Sequence, residues 1–237
     1  MRFQGRVVLV AGGTGGLGRA VSEAFLNEGA RLYVTYTADR EFERLLSLAG
    51  DTASNLTGQK ADATDESAVQ RLVDGVVAEQ GRLDVLVNTV GGFAGGRKAW
   101  ETDASELDRM LKLNLLSGFL LSRAAAKAML ARGEGAIVNV AAKAAFDHPP
   151  GLAAYSASKA AGLAMIDSLA ADLKGTGVRV NSILPSIIDT PANRKAMPNA
   201  NFAAWPKPED IARVILFLCS DEARVIHGAA VPVYGNS

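Results

Sequence analysis

Short apolar runs alternate with segments of helical period along the whole chain. VVLVA at 7–11 is short, β-branched and closed by glycine, the pattern of a strand buried on both faces. The segment at about 17–29 sets Ala20, Val21, Ala24 and Phe25 on one face and stops at Gly29, which predicts a helix. RLYVTY (31–36) reads as a second strand, 39–50 as a helix and 59–61 as a short third strand. Asp65 is placed to cap a helix running to about Gln80. Then come a strand at 83–89, a helix at about 103–131, a strand at 135–142, a long helix at 155–174 and a strand at 178–185. A last helix covers 208–220 and a last strand 229–235.

Strand alternating with helix implies parallel strands joined by right-handed crossovers, hence an α/β doubly wound sheet in a single domain over 1–237. The irregular stretch is about 186–207. Pro191, Pro198 and Pro206 exclude a long helix there, and a loop of ~20 residues in a compact domain points to function, here a substrate lid.

Composition narrows the partners. Lys plus Arg and Asp plus Glu both number 25, so the net charge is zero. Nucleic acid is not expected as a partner, because phosphate neutralisation needs a basic surplus. The lone Cys219, in the apolar run ILFLCS, excludes an internal disulfide and reads as a buried, inert thiol. With only His148 and His227, no His-rich metal centre is expected. No apolar run reaches the ~18 residues of a membrane span, and the N-terminal MRFQGRVVLVAGG lacks the shape of a signal peptide. A cytoplasmic location is expected. Glycine is in surplus, 24 of 237 residues against a usual ~7%.

Much of that surplus has an address. After the first strand comes Gly12-Gly13-Thr14-Gly15-Gly16-Leu17-Gly18, with a helix behind it. Glycines in that setting let a pyrophosphate approach the backbone, and the helix N-terminus offers free N–H groups to the phosphates. The spacing at Gly12, Gly16 and Gly18 resembles the short-chain dehydrogenase/reductase family, whose fold is the Rossmann type. Asn88-Thr89-Val90-Gly91 is similar to that family's Asn-Asn-Ala-Gly segment, Asp62 matches its adenine-side acid, Asn114 its helix asparagine, and Tyr155-Ser156-Ala157-Ser158-Lys159 its Tyr-x-x-x-Lys. The resemblance covers essentially the whole chain. It implies a nicotinamide dinucleotide held by Gly12, Thr14, Gly16, Leu17, Gly18, Tyr36, Arg40, Asp62, Ala63, Asn88, Val90, Gly91, Tyr155, Lys159, Pro185 and Ile188. It also implies a small-molecule substrate and a homo-oligomer, dimer or tetramer.

A carboxylate after the second strand would bond the ribose 2′-OH and select NAD(H). This chain has Tyr36 and Thr37 there, with Arg40 close by, and NADP(H) is favoured over NAD(H).

Tyr155 and Lys159 share a helix face. A nearby ammonium is expected to draw the tyrosine pKa down from about 10. The resemblance makes Tyr155 the acid/base, Lys159 its tuning group and ribose ligand, and Asn114 the support of a proton relay. The family's serine is absent: Ala142 stands in its place, and Ala141 has no hydroxyl either. Lys143 and His148 are candidate substitutes. Otherwise the protein is a poor carbonyl reductase, or its substrate needs no such donor.

Three further segments resemble the dihydropteridine reductases, family members that also carry alanine at this position. They are Gly91–Gly96, the run from Ala142 to Phe146, and Asp189 to Trp205. This resemblance implies reduction of a quinonoid pterin, with Phe93, Phe202 and Trp205 offering surface to a flat ring. Carbonyl or imine-like reduction with another substrate stays open beside it, as does a non-catalytic NAD(P)-binding redox sensor.

Overall fold

The first strand is apolar on both sides because it runs through the middle of the molecule. The computed structural model describes residues 1–237. Its strands are β1 (Val7–Ala11), β2 (Arg31–Tyr36), β3 (Leu56–Lys60), β4 (Val85–Asn88), β5 (Gly135–Val140), β6 (Val178–Pro185) and β7 (Ala230–Val233). They form one parallel seven-stranded sheet in the order β3-β2-β1-β4-β5-β6-β7. The helices are α1 (Gly16–Asn27), α2 (Asp39–Ala49), α3 (Glu66–Gln80), α4 (Ala104–Leu111), α5 (Ser117–Leu130), α6 (Ala144–Asp147), α7 (Ala153–Asp172), α8 (Pro191–Ala196) and α9 (Pro208–Cys219).

Alternation along β1 feeds two cores. Val8 and Val10 pack with Phe25 of α1, Leu45 of α2 and Ile215 of α9. Val7, Leu9 and Ala11 pack with Leu72 of α3, Leu121 of α5 and Ile166 of α7. The chain leaves β1 for β2 on one side and reaches β4 on the other. The crevice at the carboxyl ends of β1 and β4 is therefore the topological switch point, where doubly wound sheets bind ligands.

Four details differ from the sequence pattern. The third strand covers Leu56–Lys60 rather than 59–61, because its polar, mostly exposed residues leave little apolar signal at the sheet edge. The predicted helix over 103–131 is three pieces: α4, a π-helical turn at Lys112–Leu116, and α5. A short helix, α6, follows β5. The 186–207 stretch contains α8, started by Pro191 and capped by Thr190, whose hydroxyl accepts from Asn193 N at 3.2 Å.

Candidate active site

The glycine loop closes the carboxyl end of β1. α1 begins at Gly16 with Gly15 as its cap and no side chain bonded to its first turn, so those N–H groups are offered outward. Gly18 packs against the turn so closely that a Cβ would stand 2.0 Å from the Gly12 carbonyl oxygen. Thr35 on β2 accepts from Gly12 N at 2.8 Å, and the Thr89 hydroxyl donates to Ala11 O at 2.7 Å. Two hydroxyls from the flanking strands thus fix the loop. Thr35 belongs to no motif, and its place in the strand is all that marks it in the sequence.

The other cofactor candidates line the same edge. Asn88 bridges β4 and β5 through Asn139 Oδ1 at 2.9 Å, and its own Oδ1 accepts from Val90 N at 3.1 Å. Asp62 Oδ1 accepts from Thr64 N at 2.8 Å, and Ala63 beside it is buried. Tyr36 stacks on Phe42 with ring centroids 4.8 Å apart. Arg40 lies exposed in the first turn of α2, while its neighbour Asp39 is paired with Lys60 at 2.7 Å. The Thr14 hydroxyl donates to Glu41 at 3.2 Å. Leu17 is buried under the loop. Pro185 accepts from Lys143 N at 2.8 Å, and Ile188 O accepts from Asn193 Nδ2 at 2.8 Å. An uncapped helix start, a loop crowded at Gly13 and Gly18 and polar groups along one crevice suit a dinucleotide.

Tyr155 and Lys159 rise from the first turns of α7. The Lys159 ammonium is buried and donates to Val140 O at 3.0 Å. Burial draws it down to about 8. Burial likewise pushes the Tyr155 phenol up to about 12. This corrects the expectation of a lowered tyrosine: desolvation raises it, and the hydrogen bond of the Lys159 ammonium goes to β5 instead. Asn114 sits in the π turn. Its Oδ1 accepts from Gly92 N at 2.9 Å and its Nδ2 donates to Gly92 O at 3.0 Å and to Ser158 Oγ at 2.9 Å.

Ala142 is buried after β5 and provides no hydroxyl. Of the two candidate substitutes, Lys143 is engaged elsewhere and His148 is turned to solvent. Lys143 Nζ is 3.3 Å from Ser237 O and 3.6 Å from an Asp147 oxygen, and lies over the Tyr234 ring at 5.0 Å. His148 is exposed and ends α6 in a left-handed conformation with φ 46°. Among the aromatic candidates, Phe93 meets Tyr155 edge-on at 5.0 Å and is 65% exposed. Trp205 is buried and packs on Phe202 at 5.0 Å, whose ring the Arg194 guanidinium covers at 4.8 Å. Those two rings are therefore partners of each other, and Phe93 is the open aromatic face beside Tyr155.

The class this arrangement defines is a nucleotide-dependent oxidoreductase on a doubly wound sheet. The chain matches the short chain dehydrogenase family over residues 6–201. It is 36% identical to D-threitol dehydrogenase from Mycolicibacterium smegmatis, covering 99% of this chain and 94% of that protein. It is 30% identical to a 3-oxoacyl-(acyl-carrier-protein) reductase from Thermotoga maritima, over 100% and 99% of the two chains. A short-chain type dehydrogenase/reductase from Mycobacterium ulcerans superposes with a TM-score of 0.94 at 26% identity, covering 100% of this chain and 90% of that one. ElxO with NADP bound superposes at 0.92 with 26% identity, over 98% of each chain. The protein belongs to the short-chain dehydrogenase/reductase family and is an NAD(P)-dependent oxidoreductase. No helix is long and apolar enough to cross a membrane.

Proposed function

We propose that the protein works as a reductase, using NADPH to reduce a carbonyl or imine-like group beside Tyr155. The observation that carries this reading is the placement of Tyr155 and Lys159 in the first turns of α7, with the Phe93 ring edge-on to Tyr155 at 5.0 Å. Burial keeps the Tyr155 phenol protonated at neutral pH, so it holds the proton that reduction requires, although its raised pKa makes it a weaker acid than a free tyrosine. The nucleotide supplies the hydride when bound. Tyr155 holds the proton at its phenolic oxygen, Lys159 orients the ribose, and Asn114 supports the path that restores the proton. The glycine loop and the first turn of α1 hold the pyrophosphate. Residues 186–207 cover the substrate. Arg40 faces the 2′-phosphate, in the absence of a carboxylate at the end of β2.

The chemistry of Ala142 favours a second reading, reduction of a quinonoid dihydropterin. An electron-poor conjugated imine needs no hydroxyl donor to an oxygen, and Phe93 offers an exposed aromatic face at the right place. Assembly into a dimer or tetramer through α5 and α7 is supported by Phe119 and Leu130, both exposed on α5. A cytoplasmic setting is part of the same reading.

The test is NADPH and NADH consumption with a panel of quinones, diketones and quinonoid dihydropterin. Tyr155→Phe is expected to abolish turnover while nucleotide affinity stays within about twofold, since positioned proton transfer is worth roughly 10²–10⁴-fold. Undiminished turnover in Tyr155→Phe would remove Tyr155 from the reaction.

A further inference from the structure

Asn114 is held from four sides, and two of the holding residues lie one turn apart on α7. Its carboxamide pairs with both backbone groups of Gly92, at 2.9 and 3.0 Å. Its remaining N–H reaches Ser158 Oγ at 2.9 Å. Ser158 is fully buried, and its hydroxyl donates to the Tyr155 main-chain carbonyl oxygen at 2.7 Å. One continuous line of hydrogen bonds therefore runs from the Gly92 backbone through Asn114 and Ser158 to the backbone of Tyr155.

The backbone of Asn114 meets α7 as well. At Gly162 a Cβ would stand 2.7 Å from the Asn114 carbonyl oxygen. That neighbour is backbone and cannot swing aside as a side chain would. A glycine inside a helix costs roughly 0.5–1 kcal/mol relative to alanine, so Gly162 needs a compensating reason, and the π turn supplies it. A π turn displaces carbonyls from the ordinary helical ladder, and here one of them is pressed into the notch that Gly162 leaves.

We propose that Ser158 and Gly162 are positioning residues: together they seat Asn114 against α7 and fix it relative to Tyr155 and Lys159. Ser158 orients the carboxamide, and Gly162 admits the main-chain carbonyl. Neither touches substrate. Their effect on turnover rests on the reading of Tyr155, Lys159 and Asn114 given above; their effect on Asn114 does not.

Ser158→Ala, Ser158→Thr and Gly162→Ala are compared with the wild-type protein by thermal melting, by NMR of the Asn114 side-chain amide, and by pH-dependent kcat with NADPH and 9,10-phenanthrenequinone. In Ser158→Ala the Asn114 amide is expected to shift and exchange faster, and kcat to fall about tenfold with a displaced pH profile, the loss of one hydrogen bond's worth of orientation. KM for NADPH stays within about twofold. Ser158→Thr, which keeps the hydroxyl, restores both signals. Gly162→Ala moves the Asn114 amide and lowers kcat although its helix propensity is better. An unmoved Asn114 amide in folded Ser158→Ala or Gly162→Ala overturns the seat. A moved amide with unchanged kcat and pH profile overturns the positioning role. A wild-type protein that reduces no probe defeats the reductase reading instead, and the amide signals then decide the seat alone.

Discussion

The ring of Phe93 stands edge-on to Tyr155, with centroids 5.0 Å apart and an interplanar angle of 65°. The pair joins the acid of α7 to the glycine-bounded loop after β4, and it leaves the other side of Phe93 in solvent. A flat substrate held against that face sits directly beside the proton donor. Phe93→Ala is expected to raise KM for an aromatic quinone by up to about tenfold, since an aromatic pair contributes ~0.5–1.5 kcal/mol. KM for a small aliphatic diketone changes far less. Steady-state kinetics with both substrates makes the comparison, and equal losses on both would show that Phe93 only supports the loop.

Ala142 is buried after β5 and offers no hydroxyl of its own. Ala142→Ser is therefore expected to speed reduction of simple ketones by up to roughly 10²–10³-fold, because one well-placed donor to a developing oxyanion is worth roughly 2.7–4 kcal/mol. Reduction of quinonoid dihydropterin stays level under the pterin reading. The ratio of kcat/KM values for the two substrates is the measurement.

Lys159 gives stability a pH dependence of defined sign. Its ammonium is drawn down to about 8 by burial, whereas a free lysine titrates near about 10.4. Below the lower value both folded and unfolded chains hold the proton, and the folded chain bears the full desolvation penalty. Between the two values the unfolded chain binds more protons, so the lysine's contribution to unfolding free energy rises with pH. Lys159→Met, which keeps the length without the charge, is expected to be the more stable protein near neutral pH. Its advantage shrinks as pH climbs from about 8 to about 10. Urea unfolding of both proteins across that range reads the difference. Tyr155, raised to about 12, acts in the opposite sense only above the ordinary tyrosine range.

Arg40 is the exposed cation at the end of β2, where no acid stands at Tyr36 or Thr37. NADPH is expected to bind more tightly than NADH in a fluorescence titration. Arg40→Glu should erase the preference, weakening NADPH by roughly tenfold through loss of a charge-assisted contact. Tighter NADH binding in the wild-type protein would reverse the assignment.

The glycine loop and the Tyr155–Lys159 pair are legible in the chain because each is local. Gly12 to Gly18 falls between a strand and a helix that announce themselves, and four residues of helical spacing bring Tyr155 and Lys159 to one face. The π turn was hidden because Gly92, the backbone that grips Asn114, is 22 residues away in sequence. The Lys143 partner Ser237 is equally remote, 94 residues on. The sign of the Tyr155 shift is set by burial, which follows from packing that no motif reports. Trp205 and Phe202 showed their aromatic character in the sequence but not that each would use the other.

Thr35 and Thr89 hold the nucleotide loop from opposite sides, and Thr89 lies 78 residues beyond the Ala11 carbonyl it bonds. The cradle is thus a product of assembly rather than of the segment that bears its glycines. During synthesis the first strand, its loop and its helix emerge early, yet the loop gains its second anchor only when β4 has docked beside β1. Nucleotide occupancy accordingly reports the joining of the two halves of the sheet, and a bound dinucleotide favours the state in which they are already joined.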